Sequence, residues 1–465
     1  MKHCLILDIG KTNVKLHVLD ASRHSVFSES RANTVLQDGL YPHADIDGIW
    51  QWMMGVCKRI ATQFTIGAIS ITTHGATAAL VNTNNVNNDA GLVLPVLDYE
   101  YQGLESLDNE YNRIRPAFTE TYSPNLPGGL NLGRQLYWLE HSFPEAFKQT
   151  TDILMYPQYW AWRLTGICSN EVTSLGCHTD LWAPESNAYS SLVNECAWAQ
   201  YMPQIVPAWQ DLGYLRSEVC EQGGLPADCK VYAGLHDSNA SYLRYRLFQQ
   251  KQAFTVISTG TWTILMAAGT DLKNLRAQSD MLANVNAMGE SVACARFMGG
   301  REFEAICEQL GGAFGDPVES AVLQKLIDKN CMALPDFSDG SGPFGGRTPA
   351  FIGDITAQQG TEIATLYCAL MIDYQLDALG AQNDVYIEGA FLQNPLLCSI
   401  VAQLRRGQKV WLSGDATGTV QGCAYLTDWD NKPTDIKLKP AIPTQLNNLQ
   451  SYKDLWLTKI SETSA

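Results

Sequence analysis

The chain has 465 residues, more than a single hydrophobic core usually holds, so we expect two domains. Hydrophobic residues make up 46% and charged residues 17% of the sequence, which is typical of a well-packed protein and excludes a disordered one. The net charge of -16 excludes a general electrostatic attraction to nucleic acid or to anionic membranes, so any bound phosphate must be held by a local site.

The N-terminal apolar run is short and ends at Asp8, so we expect neither a signal peptide nor a membrane span there. The thirteen cysteines are odd in number and include no C-x-x-C pair. This pattern predicts reduced, mostly buried thiols in a cytoplasmic protein. Cys177 and His178 are adjacent, but they lack spaced partners, so we do not expect a structural zinc site.

Strand, turn and helix signals alternate from the N-terminus onward. Residues 4–7 and 14–19 predict two strands joined by a turn at residues 10–13, which is a β-hairpin signal. Residues 66–72 predict a further strand, followed by His74 and Gly75. Residues 46–63 follow helical periodicity, with one apolar stripe formed by Ile49, Trp50, Met53, Cys57 and Ile60. This order favours an α/β layered domain.

The same theme recurs in the second half of the chain. Residues 230–233, 254–257 and 384–387 predict short strands, and each leads into a turn of small or polar residues. Residues 395–404 predict a helix behind the last of these turns. The repetition predicts two related α/β domains that face each other.

We place these domains at residues 1–240 and 241–465, with the boundary in the region 225–252. The Gly-rich segment 336–347 is expected to be a loop of the second domain. The residues after Tyr452 are expected to be peripheral.

The sharpest local feature is DIGKTN at residues 8–13, followed by Lys15. An unpaired carboxylate at the end of a buried strand is costly, and a turn of small polar residues offers backbone N–H groups that bind anions. The carboxylate of Asp8 can hold Mg²⁺, usually through water, while the turn holds phosphates. An ordinary hairpin with an Asp turn is the alternative interpretation. The candidate ligands for ATP and magnesium in this turn are Asp8, Gly10, Lys11, Thr12, Asn13 and Lys15, with Asp8 as the metal ligand.

A second turn, STGT at residues 258–261, follows the 254–257 strand in the same way. Gly260 lets the backbone approach a phosphate closely, and Thr259 and Thr261 add hydroxyl donors. Turns of this composition are common, so this one carries little weight alone. Neither turn fits G-x-x-x-x-G-K-[ST] or G-x-G-x-x-G, which excludes a P-loop enzyme and counts against a nicotinamide dehydrogenase.

Two such turns, together with a glycine turn at residue 389, resemble the actin and hexokinase superfamily of ATPases, whose first phosphate loop has the form D-x-G-x-T. Within it, the chain is similar to the FGGY carbohydrate kinases, and most of all to L-rhamnulose kinases. The resemblance runs from residue 4 to residue 426. It is carried by DIGKT at 8–12, LMYP at 154–157, YW at 159–160, RLTG at 163–166, GLHD at 234–237, STGTW at 258–262 and QN at 393–394.

The resemblance implies two actin-like (ribonuclease H-like) domains with a central cleft, and an ATP-dependent phosphorylation of a ketose. ATP and Mg²⁺ are the implied cofactors, a small sugar is the implied partner, and a homodimer is one option for assembly. Asp237 becomes the base that accepts the proton of the sugar hydroxyl, and Gly389 a nucleotide contact. The implied sugar neighbours are Gly75, Ala76, His236 and Arg296.

Structural alternatives exist for several of these residues. Asp237 also suits the start of a helix, and both roles are compatible. A lone histidine beside a strand, such as His236 or His74, is more often structural. The acids of segment 98–100 are candidates for lining the sugar pocket, with a solvated loop as the alternative. Arg296 is equally well explained as a surface arginine, and the aromatic stretch 156–162 is expected to be core.

The chain departs from the family pattern at four places. The adenosine loop reads Gly389-Ala390-Phe391 where the family has a glycine pair or triplet, so Phe391 is either a wall of the adenine pocket or core. Gln158 replaces an Asp, Gln135 replaces a Lys, and Arg296 replaces an Asn. Because of these departures, the motifs do not determine which sugar is the substrate.

The open alternatives within the same class are L-fuculose, L-ribulose, D-xylulose and glycerol. An alternative of a different class is an actin-like ATPase without a sugar substrate. A transcriptional regulator with a degenerate kinase fold is disfavoured, because no basic helix-turn-helix segment precedes the first strand.

Overall fold

The computed structural model of the protein describes residues 2–84, 90–249, 253–338, 340–414, 418–433 and 436–462. It divides into two compact units. The first comprises Met1–Phe248, Ala283–Ser291 and Thr417–Thr434, and the second comprises Gln249–Leu282, Val292–Ala416 and Asp435–Ala465. The N-terminal unit therefore recruits two short segments from the second half of the chain. The division at residues 240 and 241 stays a prediction.

The elements up to residue 248 all belong to the first unit. Its strands are β1 (His3–Ile9), β2 (Asn13–Leu19), β3 (Ser25–Ala32), β4 (Val35–Leu36), β5 (His43–Ala44), β6 (Ile66–Thr73), β7 (Ala78–Val81), β8 (Asp152–Met155), β9 (Trp182–Ala183), β10 (Ala188–Tyr189), β11 (Asp211–Tyr214), β12 (Lys230–Tyr232) and β13 (Leu235–His236). Its helices are α1 (Ile46–Ile60), α2 (Asp108–Ile114), α3 (Phe118–Thr121), α4 (Leu132–Ser142), α5 (Pro144–Phe147), α6 (Tyr156–Thr165), α7 (Val172–Leu175), α8 (Ser191–Glu195), α9 (Ser217–Gly223) and α10 (Asp237–Phe248).

The later elements build the second unit, except that α15, most of β16 and the first residue of β17 belong to the first. The strands are β14 (Thr255–Thr259), β15 (Thr263–Ala268), β16 (Met281–Val285), β17 (Ser291–Phe297), β18 (Met332–Leu334), β19 (Ala350–Ile352), β20 (Val385–Gly389), β21 (Val410–Ser413) and β22 (Leu438–Pro440). The helices are α11 (Gly299–Leu310), α12 (Ser320–Asp328), α13 (Gly360–Leu379), α14 (Pro395–Leu404), α15 (Gly418–Tyr425) and α16 (Leu449–Glu462).

The two large sheets share one connection pattern. The first has the order β11-β12-β6-β1-β2-β3, with β13 also paired to β6. The second has the order β16-β17-β15-β14-β20-β21-β22. In each, an antiparallel hairpin (β1 and β2, or β14 and β15) lies beside a parallel strand (β6 or β20). The prediction of two related α/β domains is confirmed, and each hairpin turn lies at the carboxyl end of the parallel strand beside it.

Helix α1 shows how local sequence produced one of these elements. It begins after Asp45, whose side chain accepts a hydrogen bond from Gly48 N at 2.9 Å, which is a stabilising N-cap. Its apolar stripe is buried in the core of the first unit, as predicted, and consists of Ile49, Met53, Cys57 and Ile60. Trp50 is only partly buried.

Helix α6 is buried along nearly its whole length. Every side chain from Tyr156 to Leu164 is buried, including the polar Gln158 and Arg163. The prediction that this aromatic stretch is core is confirmed. Helix α14 coincides with the predicted helix at residues 395–404, and Asn394 caps it by accepting from Leu397 N.

The expectation that the chain is peripheral after Tyr452 is wrong. Helix α16 buries Tyr452, Trp456 and Ile460, and Trp456 is only 1% exposed. Trp456 Nε1 also donates a hydrogen bond to Ala333 O at 2.9 Å. The three residues are four apart and so share one helical face, a sparse apolar stripe within an otherwise polar sequence.

The Gly-rich segment 336–347 is a loop of the second unit, as predicted, although Asp339 lies outside the described residues. Asp336 holds the loop by accepting hydrogen bonds from the backbone nitrogens of Ser338, Gly340 and Gly346. Its carboxylate is therefore used within the loop. Across the described part of the chain, no helix is both long enough and apolar enough to cross a membrane.

Candidate functional site

The first predicted phosphate loop is the turn between β1 and β2. Asp8 lies near the end of β1, opposite Lys15 of β2 and beside Thr72 of β6. Burial and the nearby Asp237 carboxylate raise the pKa of Asp8 to about 7, and Lys15 partly offsets this effect. The shift shows that the Asp8 carboxyl group lies within the electrostatic field of Asp237. The assignment of Asp8 as the metal ligand stays a prediction.

The turn itself is held by the backbone and by one asparagine. Gly10 N donates to Asn13 O at 2.9 Å. Asn33 donates from its side chain to Gly10 O at 2.8 Å and from its backbone to Thr12 O at 2.9 Å. Thr12, Asn13 and Lys15 are exposed, so the turn is fixed in shape and open to solvent.

Lys11 points to acids of its own unit. Its ammonium forms an ion pair with Asp98 and lies 3.3 Å from Glu100 Oε2 and 4.5 Å from the centre of the Tyr99 ring. The side chain of Asp98 is 12% exposed and that of Glu100 is 63% exposed, so only Glu100 fits the picture of a solvated acid. The assignment of Lys11 to phosphates stays a prediction.

Asp237 is the first residue of α10 and follows directly on β13. Its Oδ1 accepts hydrogen bonds from Ser238 N at 2.6 Å and from Ser238 Oγ at 3.3 Å. His236 Nε2 lies 3.2 Å from the same oxygen. Among the described residues, every hydrogen bond and ion pair of this carboxylate ends on Oδ1. The arrangement orients the group through one oxygen and leaves Oδ2 for a ligand.

His236 is buried, and burial lowers its pKa, although the nearby Asp237 opposes this effect. The ring is therefore neutral at physiological pH. The side-chain nitrogen of Asn239 donates to His236 Nδ1 at 3.4 Å, so the ring proton lies on Nε2, facing Asp237. The segment 236–237 thus carries two predicted site residues and also begins helix α10.

The predicted sugar turn after β6 lies next to this histidine. A Cβ on Gly75 would lie 2.9 Å from His236 Nε2, so only glycine allows the ring to approach the turn. Ala76 is buried, and its carbonyl oxygen accepts a hydrogen bond from Gln135 Nε2 at 2.7 Å. The His74 ring packs against Tyr99 at 5.4 Å between centroids. Gln135, noted as a departure from the family pattern, thus supports the turn.

The second predicted phosphate loop joins β14 to β15 in the second unit. Thr259 Oγ1 donates to Glu388 O at 2.6 Å and accepts from Phe391 N at 2.9 Å, so this hydroxyl ties the loop to the end of β20. Gly389 has φ +89°, and a Cβ there would lie 2.0 Å from Thr259 O. The loop at residues 258–261 and the turn at residue 389, both in the second unit, are therefore in contact, and glycine is required at residue 389.

Helix α11 begins against the same loop. Gly300, in its first turn, donates its backbone N–H to Gly260 O at 3.1 Å. Thr261 is exposed at the tip of the loop. The positive end of the α11 dipole thus lies beside the turn that is predicted to hold phosphate, which favours an anion there. No motif in the sequence marked this helix terminus as part of the site.

Arg296 and Phe391 have structural partners. Arg296 Nε donates to Asp280 Oδ1 at 2.8 Å, and the guanidinium lies 4.8 Å from the centre of the Trp262 ring. This ion pair accounts for the arginine without a ligand, and its role at the sugar stays a prediction. Phe391 is fully buried near Phe303 and Phe314, so of its two interpretations the core one agrees with its burial.

Both halves of the sequence match models of one family. The match to "FGGY family of carbohydrate kinases, N-terminal domain" covers residues 3–244, and the match to "Carbohydrate kinase FGGY, C-terminal domain" covers residues 251–435. The chain belongs to the FGGY family of carbohydrate kinases. The family resemblance drawn from the motifs is confirmed, and so is the actin-like α/β fold that it implied.

The curated relatives of this FGGY protein share about a quarter of its residues in the matched region. L-fuculokinase of Salmonella typhi is 26% identical over 272 residues, which is 56% of each chain. A probable L-xylulose kinase of Pasteurella multocida is 23% identical over 283 residues, or 57% of this chain and 56% of that one. The match thus spans about half the length of these curated relatives.

A solved structure gives fuller coverage. The crystal structure of a carbohydrate kinase from Novosphingobium aromaticivorans is 32% identical, has a TM-score of 0.89 and covers 98% of this chain and 100% of its own. These matches do not show a particular closeness to L-rhamnulose kinases, which stays a prediction.

Two residues near Asp237 support the segment that carries it in this FGGY site, although no motif assigned them that role. Thr173 Oγ1 accepts a hydrogen bond from His236 N at 2.9 Å. Gln158, noted only as a departure from the family, donates to Ala233 O at 2.9 Å and to Gly234 O at 3.1 Å. Both contacts link residues more than sixty positions apart, so no local pattern could have revealed them.

The residues of the first unit fit a magnesium ion bound mainly by water and phosphate. In the described part of the chain, no group of three or more His, Cys, Asp or Glu side chains could hold a metal ion by itself. Mg²⁺ commonly takes one or two carboxylates and fills its other positions with water and substrate phosphates. Asp8 is the carboxylate that the motif predicts for such a site, and its role as a ligand stays a prediction.

Proposed function

We propose that the protein is an ATP-dependent kinase that transfers the γ-phosphoryl group of ATP to a hydroxyl of a ketose. Domain 1–240 carries the sugar residues and the first phosphate loop, and domain 241–465 binds the nucleotide. ATP and Mg²⁺ are its cofactors, Asp8 is the metal ligand and Asp237 is the general base. We place the reaction in the cytoplasm, with a small sugar as the partner and neither nucleic acid nor membrane involved.

The orientation of Asp237 carries this proposal. Its Oδ1 is held by Ser238 and faces the neutral His236, while Oδ2 has no partner among the described residues. A carboxylate fixed on one side and open on the other is what a general base needs. The flanking elements, the Asp8 turn and the Gly75 turn, belong to the same unit.

The chemistry assigned to these residues is a single transfer. Asp237 Oδ2 accepts the proton of the sugar hydroxyl as the sugar oxygen forms a bond to the γ-phosphorus. The bond between the γ-phosphorus and the β,γ-bridging oxygen breaks, and ADP leaves with that electron pair. Bound Mg²⁺ would neutralise charge on the phosphates. Because the Nε2 proton of His236 faces Asp237 Oδ1, His236 would bind a sugar oxygen by sharing that proton, and Gly75 leaves room for its ring.

The predicted contributions of the two units differ in kind. The first phosphate loop would use Gly10, Lys11, Thr12, Asn13 and Lys15, and the second would use Thr259, Gly260, Thr261 and Gly389. Because the Thr259 hydroxyl is occupied within the fold, its contribution would come from its backbone and from the shape it gives the loop. Ala76 and Arg296 are the remaining candidates for the sugar.

L-Rhamnulose, phosphorylated to L-rhamnulose 1-phosphate, is the first substrate to test. L-Fuculose, L-ribulose and D-xylulose are the alternatives from the motifs, and the curated relatives are named for L-fuculose and L-xylulose. L-Rhamnulose and L-fuculose are both 6-deoxy-L-ketohexoses that differ at one carbon, so a pocket that presents the first hydroxyl to Asp237 can accept either.

A panel of these five ketoses plus glycerol, in a coupled assay of ADP formation, tests the proposal. We expect one ketose to give a much higher kcat/KM than the others, and the Asp237→Asn protein, purified in parallel, to show a kcat about 10²–10⁴-fold lower with it. ADP formation that is independent of every sugar, together with filament assembly, would favour the actin-like ATPase instead.

A further inference from the structure

The backbone that leads into Asp237 contains a bulge. Strand β12 pairs with β6 through Lys230 and Val231, and β13 resumes the pairing at Leu235. Val231 faces Ile69 and Leu235 faces Thr72, so three residues (232–234) lie opposite two (70–71). One extra residue in a strand takes backbone groups out of the ladder and changes the direction of the residues after it.

Gln158 satisfies the carbonyl groups of this bulge. Its Nε2 donates to Ala233 O at 2.9 Å and to Gly234 O at 3.1 Å, and the side chain is fully buried in α6. Buried carbonyl groups without a donor are costly, so the amide stabilises the bulged conformation. A carboxylate at residue 158 could not donate to either oxygen unless it were protonated.

Thr173 holds the other end of the same segment. Its hydroxyl accepts from His236 N at 2.9 Å, one residue before Asp237, and donates to Glu171 Oε2 at 2.5 Å. Glu171 is fully buried and also accepts from Thr173 N at 2.9 Å. The Glu171 oxygen, as the acceptor, thus fixes the direction of the Thr173 hydroxyl, so a lone pair of that hydroxyl faces the His236 amide.

We propose that Gln158 and Thr173 are positioning residues that clamp the bulge and β13, and thereby set where Asp237 Oδ2 points. The proposal rests on the proposed function, in which Asp237 is the base. Strand β13 has only two residues, so its own pairing with β6 is a weak restraint. The two side-chain contacts come from different helices, α6 and α7, and grip the segment before and at His236.

The test compares two isosteric threonine variants in the first unit. Thr173→Val removes the contact to His236. Thr179→Val is the matched control, because Thr179 is also buried. Like that of Thr173, its hydroxyl makes two hydrogen bonds: it donates to Leu175 O and accepts from Leu181 N. With the ketose found by the panel, we expect Thr173→Val to lower kcat about 10-fold to 100-fold, with little change in the KM for ATP. Thr179→Val should keep its kcat at temperatures below its unfolding transition, and Thr173→Ser should restore most of the activity.

A double variant distinguishes an effect of Thr173 on the position of Asp237 from a general loss of stability or activity. If Thr173 acts through Asp237, adding Thr173→Val to Asp237→Asn should lower the residual single-turnover rate no further. Additive losses, or equal losses of kcat in Thr173→Val and Thr179→Val, would overturn the proposal. Should Thr173→Val not fold, Gln158→Glu provides the same comparison, with Gln403→Glu as the control that also loses a buried amide donor.

These results distinguish the two proposals. If Asp237→Asn keeps its turnover, the base assignment is wrong and the positioning proposal is overturned with it. If Asp237→Asn is inactive while both threonine variants behave alike, the base assignment survives and only the positioning proposal is overturned.

Discussion

The two hairpin turns, at residues 8–13 and 258–262, lie at equivalent places in the two sheets but differ in charge. Each joins the antiparallel pair next to a parallel strand, and each has a glycine nitrogen bonded within the turn, Gly10 to Asn13 O and Gly260 to Trp262 O, both at 2.9 Å. The first turn carries Asp8 and Lys11 and is followed by Lys15. The second has no ionisable side chain between residues 258 and 262.

This difference in charge favours different ligands for the two turns. A turn that carries the carboxylate of Asp8 suits a metal ion. A neutral turn beside the N-terminus of α11 offers partial positive charge and backbone N–H groups, which suit phosphate oxygens. Under the proposed function, the two turns share one backbone arrangement and differ in task because they carry different side chains.

The largest effect should come from a change at Asp237 in the first unit. Asp237→Asn keeps the shape of the side chain and an oxygen for Ser238, but it removes the proton acceptor. We expect kcat to fall about 10²–10⁴-fold, with sugar and ATP binding little changed. Steady-state kinetics with the preferred ketose measure this. Asp211→Asn, a surface ion-pair variant in the same unit, is the control and should behave like the wild type. Turnover above about a tenth of the wild-type value would show that Asp237 is not the base.

The next effect concerns the metal. Asp8→Ala should raise the Mg²⁺ concentration needed for half-maximal activity and lower kcat strongly, because the metal loses its carboxylate beside the phosphates. Binding of the sugar alone should be little affected. The matched change in the neutral turn, Ser258→Ala, should leave the Mg²⁺ dependence unchanged. A magnesium titration of both variants checks the contrast, and equal curves would remove the assignment of the metal to the first turn.

Two glycines of the second unit should respond differently to the same methyl group. At Gly389 the φ of +89° and the Thr259 carbonyl at 2.0 Å leave no room for a Cβ, whereas at Gly260 the nearest atom, Trp262 O, is 3.8 Å away. Gly389→Ala should therefore destabilise the protein by about 1–3 kcal/mol or more. Gly260→Ala should unfold at the wild-type temperature and raise only the KM for ATP. Calorimetry and ATP titrations measure the two effects, and equal unfolding temperatures would contradict the clash at Gly389.

The smallest expected effect is a change of stability with pH. Burial, with a smaller contribution from Asp336, raises the pKa of Glu302 to about 7, while its Oε2 accepts from Tyr367 Oη. Since the native state holds this proton more tightly than the unfolded chain, the stabilisation is complete below a pH of about 4.5 and is lost as the pH rises through about 7.

Glu302→Gln keeps an acceptor for Tyr367 and removes the titration. The variant should lose less stability than the wild type between pH 5 and pH 8, by on the order of 1–3 kcal/mol. Unfolding temperatures across this range provide the measurement, and parallel profiles for the two proteins would show that Glu302 does not titrate in the fold.

Much of the fold could be predicted from local signals. The hairpin at residues 3–19, helix α1 and helix α14 were predicted within a few residues, because alternation, helical periodicity and turn composition are properties of neighbouring positions. The family could likewise be recognised, since its motifs are short strings that end strands. Trp456 escaped prediction because three apolar residues spaced by four in a polar segment resemble a surface helix.

The sequence by itself determined the two α/β repeats, the positions of their turns and the residue types that suit phosphate and metal chemistry. Only the tertiary structure decided that residues 283–291 and 417–434 complete the first unit. It also decided that Lys11 meets Asp98 and that the Thr259 hydroxyl serves the fold. Each of these outcomes depends on contacts across tens to hundreds of residues, where packing and the need to pair buried polar groups decide the partner, and no local pattern in the chain records that choice.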